Sequence, residues 1–111
     1  MNNTKFGFNP DYEEETITLE QLSELSGTAI LEFGTDWCGH CQAARPAIEA
    51  ALTQHANFPH IKIFDGKGKP LGRAFKVKLW PTLILLHQGK EVARLIRPQQ
   101  AEQVCELLQH Q

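Results

Sequence analysis

The sequence has few cysteines and no long hydrophobic run. Its 111 residues include three cysteines, an odd and low number, whereas a small secreted disulfide scaffold carries a dense and even set. A catalytic or metal-binding role for the thiols is therefore favoured over a structural one. No apolar stretch approaches the roughly 20 residues that span a bilayer, and the first five residues are not followed by the apolar segment of a signal peptide. We expect no membrane association and, by default, a cytoplasmic location.

A large excess of charge of either sign is also missing. The 11 Lys and Arg residues and the 13 Asp and Glu residues give a net charge of −2, so the chain lacks the basic footprint of a nucleic-acid-binding protein. Hydrophobic content of 41% and charged content of 22% are close to those of a soluble globular protein. No repeat, low-complexity tract or linker divides the sequence, and its length is that of a single domain.

The first third of the chain predicts an irregular arm, a short helix and a buried strand. Residues 1–15 contain glycine, proline and scattered aromatic residues, which is typical of an irregular N-terminal arm. Thr18 and Gln21 fit a capping box at the start of a helix that stops at the next glycine. The apolar run at residues 28–33 is interrupted only by Glu32 and is too short for a helix, so it indicates a buried central strand.

The remaining residues predict alternating helices and strands. An alanine-rich segment from Cys38 to about residue 54 favours a helix. Pro46 should introduce a kink in this helix. The elements expected after it are strands at 61–64, 82–87 and 91–96, a short helix ending at Phe75 and a last helix starting at Pro98. The last two strands are expected to form an antiparallel hairpin. The order of the elements therefore predicts an α/β domain over residues 16–111, with a mixed central β-sheet and helices on both faces.

Residues 37–41 read Trp-Cys-Gly-His-Cys and contain the pair Cys38 and Cys41. If a helix begins at Cys38, unpaired N–H groups and the positive end of the helix dipole stabilise a thiolate there. Cys41 would lie one turn along the same face, close enough to form a small disulfide ring. A zinc site would need further ligands, and the sequence does not space any correctly relative to this pair. Two inert core thiols fit poorly at an exposed strand-to-helix corner. Covalent haem attachment is excluded because it needs His after the second thiol and residue 42 is Gln. A redox pair without metal is the favoured interpretation.

This stretch, with Phe33 before it and Pro46 five residues after the second thiol, resembles the thioredoxin family. Residues 79–82, Leu-Trp-Pro-Thr, resemble that family's cis-proline segment, and the Cys-Gly-His-Cys form is similar to protein disulfide isomerase domains. The resemblance covers about residues 16–110 and implies the thioredoxin fold and thiol–disulfide oxidoreductase activity in electron transport and cell redox homeostasis. A protein disulfide reductase is the first expectation. The alternatives are a disulfide oxidase or isomerase in an oxidising compartment, and a redox-regulated binding or assembly module.

The resemblance also implies roles for the buried residues. Cys38 as thiolate would attack the target disulfide, and Cys41 would resolve the mixed disulfide. Glu32 looks like the family's buried acid: burial should raise its pKa towards neutrality, where it could take the proton from Cys41. The alternative for Glu32 is a strand residue that points into solvent. Lys62 stands near the position where thioredoxins carry a lysine facing that acid, although a solvated lysine is nearly as good an interpretation.

Several residues are expected to form the docking surface. The resemblance implies that Pro81, in cis, presents neighbouring backbone to an extended peptide. Trp37 is expected to pack at the rim of the site and to contact the partner, with a half-buried structural Trp as the alternative. Trp80, next to Pro81, is expected to contact the partner as well. Three positions depart from the usual family pattern. Gly34 replaces an aromatic residue, Trp80 replaces a smaller one, and Arg97 stands where many thioredoxins have Gly, so each alters the surface that a target would meet.

His40 and Gly39, between the two thiols, are expected to tune the redox potential. An imidazole at His40, especially when protonated, favours the thiolate and the reduced form, which would make the pair a better oxidant than one containing Pro. Cys105 lies on the apolar face of the last helix and is most simply a core thiol. We expect no cofactor, a monomer, protein disulfide or dithiol substrates and, as one candidate electron donor, a protein similar to thioredoxin reductase.

Overall fold

A computed structural model of the protein describes residues 4–12, 17–54 and 57–110. The expected domain start at residue 16 and the arm residues 1–3 and 13–15 lie outside the described residues. The elements in chain order are β1 (Thr4–Phe6), α1 (Leu19–Ser23), β2 (Thr28–Gly34), α2 (Gly39–Thr53), β3 (Pro59–Phe64), α3 (Pro70–Ala74), β4 (Thr82–His87), β5 (Lys90–Ile96) and α4 (Ala101–Leu108).

The five strands form one mixed sheet in the order β1-β3-β2-β4-β5. Central strand β2 runs parallel to β3 and antiparallel to β4, so that Glu32 lies opposite Lys62 on one side and Leu83 on the other. The β4–β5 hairpin turns at Gln88 and Gly89, whose φ angles of 53° and 77° suit a tight hairpin turn. The α/β class, the mixed sheet and the order of the elements after α1 are confirmed.

The N-terminal arm differs from the expected irregular segment because it contains a strand. Thr4–Phe6 pairs antiparallel with β3, with Thr4 opposite Ile61 and Phe6 opposite Pro59. A strand of three residues has too few positions to display the alternation of a sheet. Its conformation is set by the edge of β3, which offers unpaired backbone groups. The arm is thus attached to the sheet beside the strand that follows α2.

The helix starts follow the predicted signals at α1 and α2. The Gln21 N–H donates to Thr18 Oγ1 at 3.1 Å and the Thr18 N–H donates to Gln21 Oε1 at 2.9 Å, which confirms the capping box. Cys38 is the N-cap residue of α2, and the helix continues through Pro46 to Thr53. Both thiols of the pair therefore lie at the first turn of α2.

The last helix begins three residues later than Pro98. Gln103 Oε1 accepts the backbone N–H groups of Gln99 and Gln100, at 2.7 and 2.9 Å, so the side chain of Gln103 caps the helix from inside its first turn. The predicted start of the helix at Pro98 is wrong, because the helix is capped by the Gln103 side-chain amide, which bonds to backbone N–H groups that precede the helix. None of the described helices combines the length and the apolar character needed to cross a bilayer.

Two apolar clusters lie on opposite faces of the sheet, because strand side chains alternate between faces. The cluster beneath α2 and α4 contains Ile30, Ala44, Ile48, Ala51, Leu52, Phe58, Leu83, Leu85, Val104, Leu107 and Leu108, with Cys105 packed against it. The opposite cluster contains Ile17, Leu22, Ala29, Leu31, Phe33, Ile61, Ile63, Leu71, Ile84 and Leu86. Glu32 alternates with Leu31 and Phe33, so its side chain lies on the α2 side, beneath the thiols.

Candidate functional site

Cys38 and Cys41 are both free thiols at the start of α2. Cys38 is 8% exposed and Cys41 is 5% exposed. The Cys41 backbone N–H donates to Cys38 Sγ at 3.1 Å, so one of the unpaired donors of the helix N-terminus points at the first sulfur. A thiolate at Cys38 is therefore stabilised by a hydrogen bond and by the positive end of the helix dipole.

The second thiol stays protonated at neutral pH. Burial, followed by the hydrogen bond with Cys38, raises the pKa of Cys41 to about 12, against smaller lowering contributions from the backbone of Thr35 and from Tyr12. A thiol is a poor nucleophile because the reactive form is the thiolate. Cys41 can therefore attack a disulfide only if a neighbouring group takes its proton during the reaction.

Glu32 is the buried acid beneath the thiols and is 3% exposed, so the solvent-facing alternative is wrong. Its Oε2 accepts the Tyr12 hydroxyl at 2.5 Å and its Oε1 lies 2.8 Å from His60 Nε2. Burial alone would raise the pKa of Glu32, but the hydrogen bonds from His60 and Tyr12 and the positive charge of Lys62 outweigh burial and hold the pKa below its usual value of 4.5. The expected rise towards neutrality is therefore wrong, and Glu32 is a carboxylate.

His60 orients the Glu32 carboxylate from β3. The backbone N–H of Asn9 donates to His60 Nδ1 at 2.8 Å, and the Asn9 side-chain amide donates to the His60 carbonyl at 3.2 Å. Because Nδ1 accepts a hydrogen bond, the ring proton is on Nε2, where it is donated to Glu32. A fully buried histidine thus links the N-terminal arm to the acid.

Lys62 is buried on the same face of β3 and is 3% exposed, so it is not the solvated lysine of the alternative interpretation. Its Nζ donates to the Pro10 carbonyl at 2.9 Å and lies 4.0 Å from the centroid of the Tyr12 ring. Burial lowers the pKa of Lys62 below its usual value, although the charge of Glu32 opposes that change. Lys62 therefore supplies positive charge near the acid and holds the arm over it.

The rim of the site is aromatic. Trp37 is 69% exposed, and its ring meets the Trp80 ring edge-on with centroids 5.7 Å apart. The Trp80 indole N–H donates to Asp65 Oδ2 at 2.9 Å, and the Trp80–Pro81 peptide bond is cis. This contact between the two tryptophans brings the 79–82 segment alongside the thiol loop, as the docking interpretation requires.

The two residues between the thiols both face solvent. His40 and Gly39 are exposed in the first turn of α2, and a Cβ added to Gly39 would meet nothing within 4 Å. Gly39 is therefore not required by a close approach to another group.

Tyr12 and His60 were not among the residues predicted for the site. The alternation of β3 carried a usable signal for His60, because a strand that turns Lys62 towards the acid turns the residue two positions earlier to the same face. Tyr12 has no comparable signal, since it lies in an irregular stretch 20 positions before its partner Glu32. Within the described ranges no three His, Cys, Asp or Glu side chains converge as metal ligands would.

Known proteins resemble the chain along most of its length. The family model described as Thioredoxin matches residues 13–110. The thioredoxin of Chlamydia trachomatis serovar D is 33% identical over 100 residues, covering 85% of this chain and 94% of that protein. Thioredoxin H2 of Arabidopsis thaliana is 27% identical over 80 residues, and the match covers 72% of this chain but only 60% of that protein.

A solved structure is similar over almost the same span. Thioredoxin 2 from Pseudomonas aeruginosa PAO1, in its reduced form, superposes with a TM-score of 0.81 and 43% sequence identity. The match covers 92% of this chain and 94% of that chain. Both the sequence and the arrangement of the elements therefore agree with one family.

Proposed function

The chain belongs to the thioredoxin family and is a thiol–disulfide oxidoreductase, and on that premise we propose that it reduces disulfide bonds in protein substrates through Cys38 and Cys41. The Cys38 thiolate attacks one sulfur of the target disulfide and displaces the other as a thiolate, which leaves a mixed disulfide. Cys41 then attacks Cys38, the second target sulfur leaves with its electron pair, and the Cys38–Cys41 disulfide forms. The target gains two electrons and the protein loses two.

The observation that carries this proposal is the buried Glu32 carboxylate set beneath a resolving thiol whose pKa is about 12. An isomerase can act through the first thiol alone, by attack and later expulsion of Cys38. Net electron transfer needs the second thiol, which must lose a proton as it attacks. A proton acceptor built beside Cys41 therefore supports a reaction in which Cys41 is used in each turnover.

Oxidation of protein dithiols is the second candidate, because the same steps can run in reverse. His40 lies in the first turn of α2, two positions from Cys38, where a protonated imidazole would stabilise the thiolate and hence the reduced pair. Such a pair would pass its disulfide to targets more readily. A donor similar to thioredoxin reductase is the partner proposed for the reductase, and an oxidising compartment is the setting proposed for the oxidase or isomerase.

Turnover of insulin disulfides by the reduced protein tests the reductase proposal. We expect Cys38→Ser to abolish turnover and Cys41→Ser to retain the first attack but accumulate the mixed disulfide. Cys105→Ser is the matched control, because it removes a partly buried thiol outside the site, and it should retain full turnover. Insulin reduction that persists in Cys38→Ser would overturn the proposal, and a partner bound equally by that variant would favour the binding-module alternative.

A further inference from the structure

The Tyr12 hydroxyl lies between the carboxylate and the resolving thiol. On one side it donates to Glu32 Oε2 at 2.5 Å, and on the other it interacts with the Cys41 thiol. Both groups occupy the space beside Gly34 that a side chain would need: a Cβ there would lie 2.5 Å from Tyr12 Oη and 2.6 Å from Cys41 Sγ. The absence of a side chain at Gly34 therefore leaves room for both the hydroxyl and the sulfur over β2.

The arm holds Tyr12 in this position through contacts with β3. Lys62 Nζ binds the Pro10 carbonyl and packs over the Tyr12 ring, while Asn9 binds His60 through its backbone N–H and its side-chain amide. The same two strand residues, Lys62 and His60, therefore fix the arm and flank the acid. The position of Tyr12 is set by the buried face of the sheet.

The Tyr12 hydroxyl is protonated over the whole physiological range. Burial, followed by the charge and the hydrogen bond of Glu32, raises the pKa of Tyr12 far above its usual value of 10.0. The hydroxyl is therefore a donor to Glu32, and its oxygen has lone pairs that can accept a proton from a neighbouring thiol. Because the hydroxyl is protonated, Tyr12 cannot act as a base by itself, but it can accept a proton from Cys41 while it donates its own proton to Glu32.

We propose that the Tyr12 hydroxyl relays the proton of Cys41 to Glu32 when Cys41 resolves the mixed disulfide, a role that rests on the proposed function above. In this step the thiol proton of Cys41 moves to Tyr12 Oη while the hydroxyl proton of Tyr12 moves to Glu32 Oε2. The electron pair left on Cys41 Sγ forms the bond to Cys38, and the bond between Cys38 and the target breaks, with its electron pair on the target sulfur. Tyr12 ends the step as a neutral phenol and Glu32 ends it protonated.

The mixed disulfide itself makes the transfer easier. In the free dithiol, the hydrogen bond and the charge of Cys38 are two of the causes that raise the pKa of Cys41. Once Cys38 is bonded to the target it carries no charge, so burial remains as the main obstacle to deprotonation. The charged and titratable groups around the relay are Asp36 from the loop before α2, Cys38 and Arg45 from α2, and His60 and Lys62 from β3. Asp11 from the arm acts on Lys62.

Tyr12→Phe tests the relay, because it removes the hydroxyl and keeps the ring beneath Lys62. In a Cys105→Ser background, a symmetrical aromatic disulfide releases one coloured thiolate when Cys38 attacks and a second when Cys41 resolves. We expect the second phase of Tyr12→Phe to be slower by about 100-fold at neutral pH and the first phase to change by less than about twofold. The second phase should be flat with pH in the parent protein, whereas in Tyr12→Phe it should rise by about tenfold per pH unit because hydroxide must remove the Cys41 proton.

Phe8→Leu is the matched control, because Phe8 is an arm aromatic whose ring lies 5.7 Å from Lys62 Nζ and has no hydroxyl. It should keep the flat pH profile of the second phase. A flat profile in Tyr12→Phe would overturn the relay, while insulin reduction in Cys38→Ser would overturn the function, so the two failures are distinct. Should Tyr12→Phe fail to fold, the rate of the second phase is measured for the parent protein in mixtures of light and heavy water. Two protons that move in one step predict a curved dependence of this rate on deuterium content. A linear dependence would overturn the relay.

Discussion

His60 Nε2 lies 2.8 Å from Glu32 Oε1 at the centre of the sheet, where both side chains are almost completely buried. A buried carboxylate without such a partner is costly. This contact keeps Glu32 ionised beneath the thiols, and it makes the state of the acid depend on a residue outside the Cys-Gly-His-Cys stretch.

His60→Phe should therefore reverse the pH dependence that Glu32 gives to stability. The pKa of Glu32 is lowered in the folded protein, so its contribution is present above the unfolded-state pKa and is lost as the pH falls through the folded-state pKa. Without the His60 hydrogen bond, burial should dominate and raise that pKa, so acid should stabilise the variant. We also expect a loss of about 1–3 kcal/mol at neutral pH. Urea unfolding as a function of pH measures both effects, with His87→Phe at the exposed end of β4 as the control; parallel curves for the two variants would contradict this prediction.

Tyr12 should not ionise until the protein unfolds in base. The chain has a single tyrosine, so the ultraviolet absorbance of tyrosinate reports on this hydroxyl alone. Because its pKa is raised in the folded protein, Tyr12 contributes stability that is present below the unfolded-state pKa and declines as the pH rises above it. The tyrosinate signal should appear together with the loss of far-ultraviolet circular dichroism, and Glu32→Gln should move it to lower pH. A tyrosinate transition that precedes unfolding in the parent protein would be inconsistent with the buried hydroxyl.

Cys41 should resist alkylation at neutral pH. In Cys38→Ser, where Cys41 is the only thiol of the pair, the rate of modification by iodoacetamide should be low and should rise with pH towards the Cys41 pKa, which is about 12 with both thiols present. In Cys41→Ser, the remaining Cys38 at the helix N-terminus should react faster at neutral pH. Peptide mass spectrometry separates both sites from Cys105. Equal reactivity of the two thiols at neutral pH would argue against their assignment as nucleophile and resolver.

His40→Pro should make the pair more reducing. The imidazole faces solvent in the first turn of α2, and Pro is tolerated there because the N–H of that turn has no helical partner. We expect the reduction potential, measured by equilibration with glutathione, to fall by about 30 mV or more, which corresponds to about 1.4 kcal/mol. His40→Gln separates loss of the imidazole from the effect of the proline ring. A potential that is unchanged in both variants would remove His40 from the redox-tuning group.

Trp37→Ala should impair reduction of protein disulfides but not of small ones. The ring is 69% exposed and meets the Trp80 ring edge-on at the rim, so its loss should leave Cys38 reactivity unchanged and weaken docking. We expect kcat/KM for insulin to fall by about tenfold, equivalent to about 1.4 kcal/mol, with the rate towards a small aromatic disulfide unchanged. Val92→Ala, at an exposed apolar position on β5, is the control. Equal losses towards both substrates would indicate damage to the thiol loop.

The parts of the structure that the sequence predicts well depend on local patterns. The strand at 82–87 has the predicted bounds, and Thr18 with Gln21 fixes the start of α1 through contacts within one turn. The cysteine spacing likewise reports on a single turn of helix, because Cys38 caps the helix that carries Cys41. These features need no information from distant residues.

The parts that were missed depend on distant contacts. Asn9 reaches His60 across 51 positions and Tyr12 reaches Glu32 across 20, and nothing in the local sequence encodes either separation. The predicted direction of the Glu32 pKa shift was wrong for the same reason. Burial of Glu32 follows from the apolar run around residue 32, whereas the hydrogen bonds that outweigh burial come from β3 and the arm. Propensity and periodicity give the position of the acid, and only the tertiary contacts give its charge.

Gly34 ties the thiol pair to the N-terminal arm, because only a residue without a side chain leaves space for the Tyr12 hydroxyl beside Cys41. An aromatic side chain at position 34 would occupy the space of the Tyr12 hydroxyl, so this hydroxyl and an aromatic residue at position 34 exclude each other in one protein. Transplanting the Cys-Gly-His-Cys loop into a relative with an aromatic residue there would carry over the thiols without the phenol. An engineer who wishes to move this chemistry to another protein must therefore move the glycine and the N-terminal arm together.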